Sequence, residues 1–67
     1  MSIAMFFIEL NEIMNEYEVF RDRGRTKRKL GSLLSRVKKA AKNARNLREN
    51  KEYKAIIRAI EELLKGL

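Results

Sequence analysis

Residues 26–48 read TKRKLGSLLSRVKKAAKNARNLR, and their apolar positions recur as Leu30, Leu33, Val37, Ala40, Ala44 and Leu47. The steps alternate three and four, which is the a/d seam of a helix and not the two-residue alternation of a strand. Leu34 and Ala41 widen the stripe on one side. Upstream, Ile3, Phe6, Leu10, Ile13, Tyr17 and Phe20 repeat the same steps, widened by Phe7 and Met14. Folded back at position 25, the two seams pair residue for residue: Phe20 with Leu30, Tyr17 with Leu33, Ile13 with Val37, Leu10 with Ala40, Phe6 with Ala44, Ile3 with Leu47. This is the correspondence an antiparallel helical hairpin requires. Large residues near its open end face alanines, so the two helices can interdigitate closely.

The polar break between the seams is Arg21-Asp22-Arg23-Gly24-Arg25-Thr26. A turn is expected at Gly24, with Ser2 capping the first helix and Thr26 the second. The hairpin helices then cover about 2–22 and 27–48. Continuing the second seam would bring Lys51, Lys54, Arg58 and Glu61 into the core, so the phase must change. Glu49-Asn50 is where a break is expected, with Asn50 as N-cap. The alternative is one continuous helix whose stripe rotates to a new face. The third helix, about 51–65, presents Tyr53, Ile56, Ile57, Ile60, Leu63 and Leu64 on one face and stops at Gly66. Phe7, Met14, Leu34 and Ala41 form a groove that this stripe would fill. The expected fold is all-α: one small domain over 1–67, an antiparallel hairpin with a third amphipathic helix against it.

At 67 residues a lone core is marginal, and the chain has neither Cys nor His to supply a disulfide or a soft metal ligand. Helix packing and self-association remain, so a homodimer is expected, either of three-helix bundles or of two hairpins forming four helices. Ile3-Ala4-Met5-Phe6-Phe7-Ile8 is too short for a membrane span and lacks the basic start of a signal peptide. A soluble chain in the cytoplasm is expected; absence of Cys is compatible with that compartment.

Charge is strongly segregated. Twelve of the sixteen basic residues lie between Arg21 and Arg48, with Asp22 the one acid among them, so the segment carries +11. Residues 1–20 carry −4 and residues 49–67 carry zero. A solvated face usually mixes signs, as the third helix does; one sign over a whole helix points to an anionic partner. Glu16 is expected to pair with Arg36 across the hairpin. The cations left free are Arg21, Arg23, Arg25, Lys27, Arg28 and Lys29 around the turn, then Lys38, Lys39, Lys42 and Arg45 along the outer face of the second helix. Gly31, Ser32 and Ser35 are small and lie among them.

This strip fits the phosphate backbone of duplex nucleic acid, as a small regulator or architectural factor would use it. No aromatic residue lies between Arg21 and Glu52, so stacking on single strands is disfavoured. Base-edge readers are few: Asn43, Asn46 and the arginines. The alternative is a protein-interaction regulator docking on an acidic partner surface. A basic amphipathic helix can also lie on anionic lipid, but the apolar stripe here is claimed by the hairpin and is rich in alanine. No enzyme is expected, because no His or Cys can act as base or nucleophile and Ser32 and Ser35 lack a base. No cofactor, metal or small-molecule substrate is expected either. Glu9, Glu12 and Glu16 are the nearest thing to a carboxylate cluster, and they read as an acidic face flanking the basic helix.

Overall fold

The computed structural model describes residues 3–67. The chain forms three helices, α1 Ile3–Phe20, α2 Arg23–Ala41 and α3 Leu47–Gly66, packed into a bundle of 38 × 19 × 14 Å. Helix α2 is central and packs on both of its neighbours, while α1 meets α3 over a smaller area. The expected all-α hairpin with a third helix against it is what the structure shows. The expected Ser2 cap lies outside the described residues.

The core is small and unmixed. Phe6 and Ile13 of α1, Leu30, Leu33 and Val37 of α2, and Tyr53, Ile56 and Ile60 of α3 are buried, and Ile3, Leu10, Met14, Leu34, Ala40, Ala41, Ala44, Ile57, Leu63 and Leu64 pack around them. Phe6 meets the Tyr53 ring edge to face, with centroids 6.4 Å apart, an arrangement that adds attraction beyond the area buried. The α3 stripe is the one read from its spacing.

The turn between α1 and α2 is tighter than its composition suggests. Helix α2 begins at Arg23, four residues before the expected start, and its N-cap is Asp22, not Thr26. The Asp22 carboxylate accepts from the Arg25 amide at 3.1 Å. Asp caps as well as Thr does, and starting early satisfies four more backbone groups. Gly24 therefore sits inside the first helical turn. Thr26 falls on the core-facing stripe, buried, with its hydroxyl donating to the Asp22 carbonyl at 2.8 Å. Only Arg21 and Asp22 separate the helices. Arg21 takes φ of 55°, the left-handed residue that closes α1, and its amide donates to the Tyr17 carbonyl at 2.8 Å. Its guanidinium lies 5.6 Å from the centre of the Tyr17 ring.

A shorter turn moves the hairpin register by one heptad. The expected pairs sum to 50; the inner helix ends, Phe20 and Arg23, sum to 43, and the cross-hairpin ion pairs Glu9–Arg36 and Glu16–Lys29 sum to 45. A 3–4 repeat matches itself after seven residues, so both registers align the seams. In the observed one Phe20 loses its partner and is 67% exposed, and Leu47 at the far end is 79% exposed. Glu9, not Glu16, faces Arg36.

The break between α2 and α3 exists but comes earlier than expected. Helix α2 ends at Ala41, and Asn46, not Asn50, caps α3 by accepting from the Glu49 amide at 2.9 Å. The third helix thus gains Leu47 and Arg48, expected to finish the second, and Glu49 and Asn50, expected to form the break. Met14, Leu34 and Ala41 pack against the core as the groove argument required, but Phe7 stays 49% exposed.

Candidate nucleic-acid interface

The heptad shift sorts the cations of α2 by the side of the helix they occupy. On the α1 side, Lys29 Nζ donates to Glu16 at 2.9 and 3.0 Å, and Arg25 Nε lies 3.4 Å from the same carboxylate. Arg36 grips Glu9 with both terminal nitrogens, the fork geometry that makes Arg–carboxylate pairs specific. The Lys29 hydrogen bond, helped by the charges of Lys29 and Arg25, holds the Glu16 carboxyl below its ordinary value of 4.5. The Glu9 hydrogen bond raises the Arg36 guanidinium further above its already high value. On the α3 side, Lys38 Nζ lies 3.8 Å from Glu61. Arg25, Lys29 and Lys38, expected to be free, are thus engaged by the protein's own carboxylates. Each pair is partly solvated, so these contacts direct charge more than they stabilise the fold.

What remains points outward. Among the described residues Arg23, Lys27, Arg28, Lys39, Lys42 and Arg45 enter no ion pair. Helical spacing places Arg28, Ser32, Ser35 and Lys39 opposite the core stripe of Leu30, Leu33 and Val37. Gly24 and Gly31 adjoin them, and a Cβ at Gly31 would meet nothing within 4 Å. Internal packing therefore gives no reason for glycine there, although it weakens a helix interior by about 1 kcal/mol relative to alanine. From Arg28 to Lys42 the ridge runs about 21 Å. Lys42 follows the last turn of α2, and Arg45 lies in the connection to α3, its amide donating to Glu49 at 3.2 Å. Both were expected on a longer helix. The ten candidates thus divide: Arg28, Lys39 and Lys42 line the ridge, Arg45 stands beyond its end, Arg23 and Lys27 fall one heptad before Leu30 and Leu34 and so lie off it, Arg21 covers Tyr17, and Arg25, Lys29 and Lys38 are held by carboxylates.

A second cationic group was missed. Lys51, Lys54 and Arg58 are exposed on α3, enter no ion pair among the described residues, and line a shallow concavity of about 620 Å³ with Ala55 and Ile57. Their spacing of three and four places them on one stripe. The zero net charge of residues 49–67 hid them, since it averages that stripe with Glu49, Glu52, Glu61 and Glu62.

Among the described residues no three His, Cys, Asp or Glu side chains come together as metal ligands, and no helix is long and apolar enough to cross a membrane. No protein-family model matches the chain, and no curated protein or solved structure matches it either.

Proposed function

We propose that this protein binds duplex nucleic acid along the outer ridge of α2, as a small regulator or architectural factor acting in the cytoplasm as a homodimer. The observation that carries the reading is the sorting of charge: Arg25, Lys29, Arg36 and Lys38 have carboxylate partners on α1 and α3, while Arg28, Lys39 and, just past the helix end, Lys42 have none and lie on the side of α2 away from the core. Phosphate neutralisation by such a ridge releases counterions and needs no base contact. Gly31, Ser32 and Ser35 let a backbone approach the helix, and the two hydroxyls can donate to phosphate oxygens. An acidic protein surface would be drawn to the same ridge, and the two occupants differ in whether binding survives nuclease treatment.

The test is binding of fluorescent duplex DNA and duplex RNA as salt is varied. Three ridge cations give a slope of about −2.7 in log K against log salt on B-DNA. Gly31→Leu, which leaves charge unchanged, should weaken binding, whereas Gly31→Ala should raise the melting temperature. Absence of binding to either duplex at about 50 mM salt and micromolar protein would overturn the proposal. A partner that survives nuclease treatment in a pull-down, with no duplex affinity, would assign the ridge to an acidic protein instead.

A further inference from the structure

Helix α1 has a second seam. Beside the stripe that enters the core, Ala4, Phe7, Asn11, Met14 and Glu18 repeat the same 3–4 steps, and Ile8 and Asn15 flank them. Over residues 3–15 this outer arc carries no charge, in a chain of which 37% of residues are charged. Glu9, Glu12 and Glu16 all project toward the α2 side, where they line the groove with Lys29 and Arg36. Phe7 and Ile8 are 49% and 51% exposed, and Ala4, Asn11 and Asn15 are exposed beside them. A helix that is apolar on nearly all sides over its first turns, as Ile3–Ile8 is, normally has neighbours on all sides. Here its own chain covers one.

We infer that the occupant of this face is a second copy of the chain, its α1 antiparallel to the first about a two-fold axis at Asn11. Between Ala4 and Met14 the seam is apolar except for Asn11, and a single asparagine so placed is the usual device for fixing the register of a helix pair, because its amide is best satisfied by its counterpart. Antiparallel pairing sets Asn11 against Asn11 of the second copy, Phe7 and Ile8 level with Met14 and Asn15, and Ala4 level with Glu18. The charges select this direction. Helix α1 has no acid in its first turn, where the free amides and the helix dipole favour an anion, and Glu18 of the second copy arrives there. Parallel pairing would set Glu18 against Glu18. The 18-residue helix is about 27 Å long, so a pair buries on the order of 1,000 Å², near the lower bound for a specific interface. Interfaces at this lower bound belong to weak associations, so a micromolar dimer is the expected outcome. The face lies away from the Glu9–Arg36 and Glu16–Lys29 contacts with α2, so dimerisation leaves both basic ridges uncovered.

This rests on the homodimer named above but not on nucleic-acid binding. Sedimentation equilibrium of the whole chain should show a monomer–dimer equilibrium in the micromolar range. Phe7→Lys with Ile8→Lys should raise the dissociation constant by at least about 100-fold, with helical circular dichroism unchanged because both side chains are half exposed. Leu47→Lys, at a still more exposed leucine outside the seam, should leave it unaltered. The chain has no cysteine, so single thiols report geometry cleanly. Mixed Ala4→Cys and Glu18→Cys chains should oxidise to the mixed disulfide. A chain monomeric at about 100 µM overturns self-association itself. A dimer that survives the double lysine variant, or a disulfide that joins two Ala4→Cys chains to each other, overturns this interface while leaving the dimer standing.

Discussion

Phe20 and Leu47 test the hairpin register, because the two heptad-related alignments treat them oppositely. In the alignment that sums to 50, Phe20 faces Leu30 and Leu47 faces Ile3. In the observed one both project into solvent, 67% and 79% exposed. Full burial of a side chain of this size contributes about 1.5–3 kcal/mol, so the part buried here contributes roughly 0.5–1 kcal/mol at Phe20 and roughly 0.3–0.6 kcal/mol at Leu47. The Phe20→Ala, Leu47→Ala double variant should therefore lose about 1–1.5 kcal/mol, additively, since the two sites lie at opposite ends of the bundle. In the other register the same pair would empty two core positions at roughly 3–5 and 2–5 kcal/mol. A 67-residue chain has only about 3–10 kcal/mol of stability in all, so that variant would not fold. Leu33→Ala, fully buried, provides the comparison and should cost about 2–5 kcal/mol. Urea unfolding followed by far-ultraviolet circular dichroism reads all three. A double variant that costs as much as Leu33→Ala would refute the observed register.

Arg21 holds a left-handed backbone while covering Tyr17. Arg21→Ala keeps the strain and removes the cation from the ring, so it should cost about 0.5–1 kcal/mol, whereas Arg21→Gly relieves the strain and should be near neutral or stabilising; thermal melts that rank alanine above glycine would contradict this. The depressed Glu16 carboxyl sets a pH dependence: its contribution is complete above the ordinary value of 4.5 and is lost as pH falls through the lower folded value. Glu16→Gln should accordingly flatten the loss of stability on acidification below about pH 5, seen as a melting temperature that changes less with pH than that of the parent chain.

The seams were readable because burial on one side of a helix leaves a period that composition cannot hide, and the α3 stripe from Tyr53 to Leu64 survived intact for the same reason. The register was not readable, because a 3–4 repeat is identical to itself one heptad along. Only the turn distinguishes the two alignments, and there Asp22 and Thr26 are both good caps. Asn46 and Asn50 pose the same ambiguity at the second break. The division of the basic residues depends on that register. Glu16 meets Lys29 and Arg25 in one alignment and Arg36 in the other, so which cations stay free follows only once the turn is placed. Lys51, Lys54 and Arg58 escaped because net charge along a segment says nothing about charge around a helix.

The central claim is that the outward cations of α2 form the binding ridge and the inward ones do not. Salt-titrated duplex binding decides it with two variants, one removing three outward cations and one removing two inward ones. Arg28→Gln, Lys39→Gln, Lys42→Gln should reduce the steepness of log K against log salt by about 2.7, roughly 0.9 for each phosphate no longer neutralised. Lys29→Gln, Arg36→Gln, which removes cations already held by Glu16 and Glu9, should leave the slope within about 0.5 of the parent value. Equal reductions in both, scaled only by the charge removed, would mean that the whole positive protein attracts the duplex and that no ridge exists.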